Sequence, residues 1–155
     1  PVKGKLSISY DLVNLKGKAP VQESAWIPPR PGWVKLNTDG AFSLVDGAGA
    51  GMILRDSAGS IIFSACRSLF SCRDALESEL CACMEGLSFA IQRSDLPIEV
   101  EMDSSTAVAM ITGVETDRSI YASLVAEIKY LLSLRSSCIT RVPRCQNKAS
   151  DKLAS

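Results

Sequence analysis

From residue 33 the chain alternates. Val34, Leu36 and Thr38 are interleaved with Lys35, Asn37 and Asp39, the two-residue period of a strand with one face buried. Residues 48–55 and 60–69 read as two further strands around the hairpin turn Asp56-Ser57-Ala58-Gly59, so three antiparallel strands are expected. At residue 74 the period changes. Leu76, Leu80, Cys83, Met84, Leu87 and Ile91 form one apolar helical face that runs to about residue 93. Asp74 suits the N-cap, with Glu77 three residues later completing a capping box. After Pro97, residues 98–102 alternate again as a short strand. Residues 104–112 make a short helix, capped by Ser104 or Ser105 and ended near Gly113. Residues 118–134 read as a longer helix with Ile120, Leu124, Ile128 and Leu131 inward. Residues 137–142 form the last strand, Pro143 closes it, and a final helix starts near Asn147 or Lys148. The order β-β-β-α-β-α-α-β-α predicts an α/β domain, a mixed five-stranded sheet flanked by helices.

Residues 1–31 break this pattern. Lys3, Lys5, Lys16 and Lys18 alternate with small apolar clusters, and Pro20, Pro28, Pro29 and Pro31 follow. Proline removes donors and blocks regular ladders. An extended leader or linker is expected there, with Trp26 tucked against a domain of residues 32–155. The run Gly47-Ala-Gly-Ala-Gly51 lacks the Gly-Lys-Ser/Thr ending of a phosphate-binding loop and follows no suitable strand. It reads as the flexible start of the second strand.

Composition narrows the function. The 155 residues suit one domain. Lys plus Arg and Asp plus Glu both total 17, so no cationic shell surrounds the molecule. Nucleic acid must then be held by local charge and metal, which argues against a tight, nonspecific DNA binder. No apolar run is long enough to span a bilayer and no secretory signal pattern opens the chain, so an intracellular protein without a membrane partner is expected. The six cysteines lack the spacing of a zinc module, and the sequence has no histidine. They read as reduced, mostly buried thiols, with Cys72 the most exposed.

Four acids carry the candidate chemistry: Asp39, Glu79, Asp103 and Asp151. Asp39 and Asp103 fall on the polar parity of their strands and are expected to end them. Two neighbouring parallel strands would set these carboxylates side by side. Gly40 would let a substrate backbone approach closely. Glu79 borders the apolar face of its helix and can lean toward the sheet, whereas Glu77 reads as capping and Glu85 as a less suitable ligand. Glu99 and Glu101 read as solvated strand-face residues, with Glu101 a candidate support for the site. Asp46, Asp56, Asp74 and Asp95 read as turn or cap residues. Carboxylates brought together repel unless a hard cation neutralises them, so convergence of the four implies a divalent metal, magnesium above all.

The order of these motifs resembles the ribonuclease H family, closest to the reverse-transcriptase-associated domains of plant genomes. The likeness is carried by Trp26-Ile-Pro-Pro, Gly32-Trp-Val-Lys-Leu-Asn-Thr-Asp-Gly-Ala-Phe42, Gly49-Ala-Gly-Met-Ile-Leu-Arg-Asp56 with Gly59, and Glu79-x-x-Ala with Gly86-Leu87. Glu101-Met-Asp-Ser104 and Val142-Pro-Arg-x-x-Asn147, leading to Asp151, complete it. The resemblance implies two magnesium ions, with manganese as a substitute, held by Asp39, Glu79, Asp103 and Asp151. It implies endonucleolytic hydrolysis of the RNA strand of an RNA–DNA hybrid. Gly40, Ala41, Asn147 and Arg141 would touch substrate, and the domain would work as a monomer or beside a reverse transcriptase in one polyprotein. The final helix is expected to be cut short, with Asp151 loosely held. Two departures stand out. Arg141 occupies the position, six residues before Asn147, where many members of the family carry histidine, and arginine cannot act as a base. The basic protrusion of some bacterial relatives is missing. A catalytically weak domain of retroelement origin that binds nucleic acid or protein is the alternative.

Overall fold

The computed structural model describes residues 25–155. The expectation for residues 1–24 lies outside the described residues. The elements are β1 (Val34–Ser43), β2 (Gly47–Arg55), β3 (Ile61–Leu69), α1 (Ala75–Arg93), β4 (Ile98–Met102), α2 (Ser105–Thr112), α3 (Ala122–Ser133), β5 (Ser137–Arg141), a 3-10 turn at Arg144–Gln146, and α4 (Lys148–Ala154). The sheet order is β3-β2-β1-β4-β5. The first three strands pair antiparallel, and β1, β4 and β5 run parallel. This is the mixed sheet and the element order that the periodicities predict.

The first two helices have a local cause. The Asp74 carboxylate accepts the Glu77 N–H at 2.8 Å and caps α1. The return half of the box is displaced by one residue: Glu77 Oε2 accepts from the Arg73 N–H at 2.6 Å. The inner face of α1 buries Leu80, Cys83, Leu87 and Ala90 against Leu36, Met52 and Leu54 of the sheet. Ser104 caps α2 through the Ala107 N–H, and Gly113 ends it.

Helix α3 begins four residues later than its periodicity suggests. Asp117 accepts the Ser119 N–H and Ser119 accepts the Tyr121 N–H, local turns that compete with the helix. Ile120 therefore stays outside, 65% exposed, and Val125, Ile128 and Leu131 are the buried residues of α3.

The opposite face of the sheet departs further from expectation. Helix α4 rests on β2 at the glycine run. A Cβ at Gly51 would lie 2.0 Å from the Ser150 carbonyl oxygen, and one at Gly49 would lie 2.3 Å from that of Ala154. These glycines are the seat of a helix rather than a flexible strand start. Beside α4, residues 26–30 lie along β1 and β4, with Trp26 tucked in as expected. Strand β1 is consequently buried on both faces, Lys35, Asn37 and Asp39 included. A two-residue period in sequence does not distinguish solvent from a polar layer under a second covering segment.

All six cysteines are free, but only Cys83 is buried. Cys66 is exposed on edge strand β3, and Cys72 is half-buried, which reverses the expected ranking. Among the described residues no helix is long and apolar enough to cross a membrane.

Candidate metal centre

The registers of β1 explain where the acids meet. Its pairing with β4 stops at Asn37↔Glu101, while its pairing with β2 continues through Asp39↔Gly51 to Ser43↔Gly47. Asp39 thus lies inside β1, not at its end, at the point where the neighbouring parallel strand gives out. Asp103 does follow the end of β4, one residue beyond Met102.

Glu79 arrives from the second turn of α1. Gly40 makes this possible: a Cβ there would sit 2.3 Å from the Ser78 carbonyl carbon. The space released by this glycine is filled by the α1 backbone, not kept for substrate. The Gly40 N–H also donates to the Glu79 carboxylate. One carboxylate oxygen from each of Asp39, Glu79 and Asp103 lies within 4.8 Å of the others. Asp151 comes within hydrogen-bonding reach of Asp39 from the α4 side. The structure therefore brings Asp39, Glu79 and Asp103 together, with Asp151 beside Asp39 at the edge of the cluster.

Burial pushes the Asp39 carboxyl well above the usual carboxylate range, and the charges of Glu79 and Asp103 push it further. Burial raises Glu79 too, opposed by its hydrogen bonds with Asp39 and the Gly40 N–H. Both shifts favour protonation of this pair when no cation is bound. Glu79 Oε2 is buried with no hydrogen-bond partner. A donor set made only of carboxylate oxygens, mutually repelling and with one buried oxygen unpaired, fits a hard divalent cation such as magnesium.

A pocket of about 370 Å³ opens on this cluster, lined by Asp39, Gly40, Glu79, Asp103, Arg141 and Arg144. Arg141 is exposed at the end of β5. Ala41 lines instead the neighbouring cleft between the β1–β2 hairpin, β3 and the end of α4. Arg144 is a residue that sequence reasoning missed. Its guanidinium donates to Asp151 Oδ1 at 3.2 Å. Its position in the loop between the last strand and Asp151 was the available signal.

Three other expectations are corrected here. Asn147 does not face the pocket: it is 1% exposed, donates to the Thr38 carbonyl at 2.9 Å and accepts from Asn37 at 3.1 Å. Glu101 is not solvated, since it accepts from Asn37 and pairs with Lys35 at 3.0 Å. Glu99 pairs with Arg30 and Lys35. Asp151 is not on a loose end, because Ser150 and Ala154 of its helix are buried against the glycine seat. Glu85 pairs with Arg67, away from the acids, and Asp46 and Asp56 serve turns as expected.

A family model described as "Reverse transcriptase-like" matches residues 37–155. An Arabidopsis thaliana protein that bears a provisional ribonuclease H name is 37% identical over 91 residues, which cover 57% of this chain and 14% of that protein. The chain thus matches a small part of that curated relative. Ribonuclease H1 of the archaeon Halobacterium salinarum superposes with a TM-score of 0.73 at 25% identity, over 79% of this chain and 95% of that one. LC11 ribonuclease H1, isolated from compost by metagenomics, has been solved with an RNA/DNA hybrid. That complex superposes with a TM-score of 0.67 at 21% identity, over 78% and 93% of the two chains.

Proposed function

Since the chain belongs to the reverse transcriptase-like branch of the ribonuclease H family, we propose that it is a divalent-metal-dependent endonuclease that hydrolyses the RNA strand of RNA–DNA hybrids. One observation carries the reading: Glu79 Oε2, buried and unpartnered inside a cluster of three carboxylates. A scaffold gains nothing from such an arrangement, because each desolvated acid costs stability without a cation.

Asp39, Glu79, Asp103 and Asp151 would hold the metal, and Asp39 lies where the others meet. Two bound magnesium ions would supply Lewis acidity, an activated water and stabilisation of the leaving 3′ oxygen. The chain's own residues do the rest. Asp39 and Glu79, whose carboxyls are raised without a cation, would hold it in their deprotonated form. Arg141 and Arg144 offer fixed positive charge to a phosphate at the mouth of the pocket. The backbone at Gly40 lines the pocket and suits contact with a 2′-hydroxyl, which DNA lacks. The hybrid found on the LC11 relative supports the substrate class.

A second reading is favoured by one specific observation. Arg144 already neutralises Asp151, and the sequence offers no histidine to move protons. A domain of this kind would bind nucleic acid or protein and cut little. A labelled RNA–DNA hybrid incubated with magnesium, manganese or chelator separates the two. The nuclease reading expects cleavage with either metal, none with chelator, intact duplex DNA, and loss of activity in Asp39→Asn and Asp103→Asn. An uncut hybrid at high enzyme concentration with both metals would overturn it.

A further inference from the structure

Residues 26–30 are latched to the outer face of β1 and β4 at three points. Lys35 Nζ donates to the Ile27 carbonyl at 2.6 Å, Arg30 Nε donates to Glu99 at 3.0 Å, and the Trp26 indole N–H donates to Asn37 Oδ1 at 2.9 Å. The Arg55 guanidinium lies 3.8 Å from the Trp26 ring centroid and donates to the same Asn37 oxygen at 3.2 Å.

This last contact has a direction. An indole N–H and a guanidinium can only donate, so Asn37 must turn its oxygen toward them and its nitrogen inward. The inward nitrogen donates to Glu101 Oε1 at 3.0 Å and to Asn147 Oδ1 at 3.1 Å. Asn147, having presented its oxygen, must turn its own nitrogen the other way, where it donates to the Thr38 carbonyl at 2.9 Å. Both Asn37 and Asn147 are buried, so neither amide can turn over without stranding a polar group. The relay ends on both sides of the carboxylate centre. Thr38 immediately precedes Asp39. The Asn147 carbonyl accepts the Asp151 N–H at 3.1 Å and the Ser150 hydroxyl at 2.9 Å, which makes Asn147 the anchor of α4.

We propose that Trp26 is a positioning residue of this site: through Asn37 and Asn147 it sets α4, and with it Asp151, against the strand that carries Asp39. The segment before β1 is then a working part of the domain rather than a tether to it. The relay itself stands on geometry alone; only its consequence for ion binding rests on the metal reading above.

Two substitutions grade the contact. Trp26→Phe keeps a ring under Arg55 and removes the donor, while Trp26→Ala removes both. Residue-resolved 15N NMR on the metal-free protein reads solvent exchange at the Asn147 side-chain amide and at the Asp151 backbone amide. We expect exchange at both to quicken about tenfold or more in Trp26→Ala and by less in Trp26→Phe, while amides of β4 and α1 keep their rates. The magnesium-induced rise in melting temperature should shrink in the same order. Unchanged exchange at Asn147 and Asp151 overturns the proposal, and so does an increase shared equally by β4 and α1, which would mean a general loss of stability. Because exchange is read without metal or substrate, a protein that leaves RNA intact refutes the nuclease reading without touching this result.

Discussion

Arg144 and Asp151 form an ion pair at 3.2 Å on the rim of the carboxylate centre. The guanidinium is exposed, but the nearby charges of Asp151, Asp103 and Asp39 all favour its protonated state. It stands where it competes with a cation for Asp151 and where it can greet a phosphate. Arg144→Gln should therefore raise magnesium affinity by a few-fold and weaken binding of hybrid. Both effects should fade at high salt, because exposed charge is screened. Calorimetric titration with magnesium and with hybrid, at low and high ionic strength, checks the pair of signs. Equal magnesium affinity in both proteins would remove Arg144 from the metal's neighbourhood.

The raised carboxyls of Asp39 and Glu79 predict how stability depends on pH. A group that binds its proton more tightly folded than unfolded makes the folded state lose ground as pH rises. The loss begins above the ordinary carboxylate range and is complete once the raised folded values are passed. In chelator, melting temperature should therefore fall from about pH 5 until the raised Asp39 value of about 9 is passed. Saturating magnesium should flatten or reverse that slope, since it binds the deprotonated acids. Asp39→Asn should flatten it without metal. A metal-free stability that rises over this window would contradict the raised carboxyls of Asp39 and Glu79.

Gly51 tests the seat of α4. Its missing Cβ leaves the space that the Ser150 carbonyl occupies. Gly51→Ala should cost about 1–3 kcal/mol of stability, the usual range for overpacking, and should lift α4 away from β2. Cleavage should fall more than stability does, because Asp151 moves with the helix. Denaturant melts and single-turnover cleavage at a temperature where both proteins are folded measure the two losses separately. Full activity in a destabilised Gly51→Ala would detach Asp151 from the chemistry.

Arg141 lines the pocket at the end of β5. A permanent cation there can hold a cleaved phosphate but cannot pass a proton. Steady-state turnover should be slower than the first round. Arg141→His should raise steady-state turnover more than the single-turnover rate and make it depend on pH near neutrality. Time courses with enzyme in excess and substrate in excess decide this. If Arg141→Ala matches Arg141→His, the position has no part in the cycle.

The acids were legible in the sequence because each is tied to its element by a local rule. Asp39 and Asp103 share the parity of neighbouring parallel strands, and Glu79 borders the apolar face of α1. What remained illegible depends on contacts across long stretches of chain. Asn147 reads as a substrate-touching residue until Asn37, 110 positions earlier, is found against it. Lys35, Asn37 and Glu101 read as solvent-facing because nothing local announces that residues 26–30 and α4 cover them. Ile120 fits a helical period, but the Asp117 and Ser119 turns hold it out of the helix. Glycines 49 and 51 look flexible along the chain and act as a socket only once α4 is in place.

Lys35, Asn37 and Asp39 occupy successive outward positions on one strand, about 13 Å from end to end. Across from the first two on β4 stand Glu99 and Glu101, and Asp103 follows just past the end of that strand. The electrostatic circuit is closed at the first two rungs, where lysine, arginine and amide partners quench both glutamates. It is open only at the third. Beneath the covering segment, the ladder therefore holds no competing trap for a cation beside the third rung. The fold selects its binding spot by silencing the alternatives, and any substitution that frees Glu99 or Glu101 would give the ion a second place to rest.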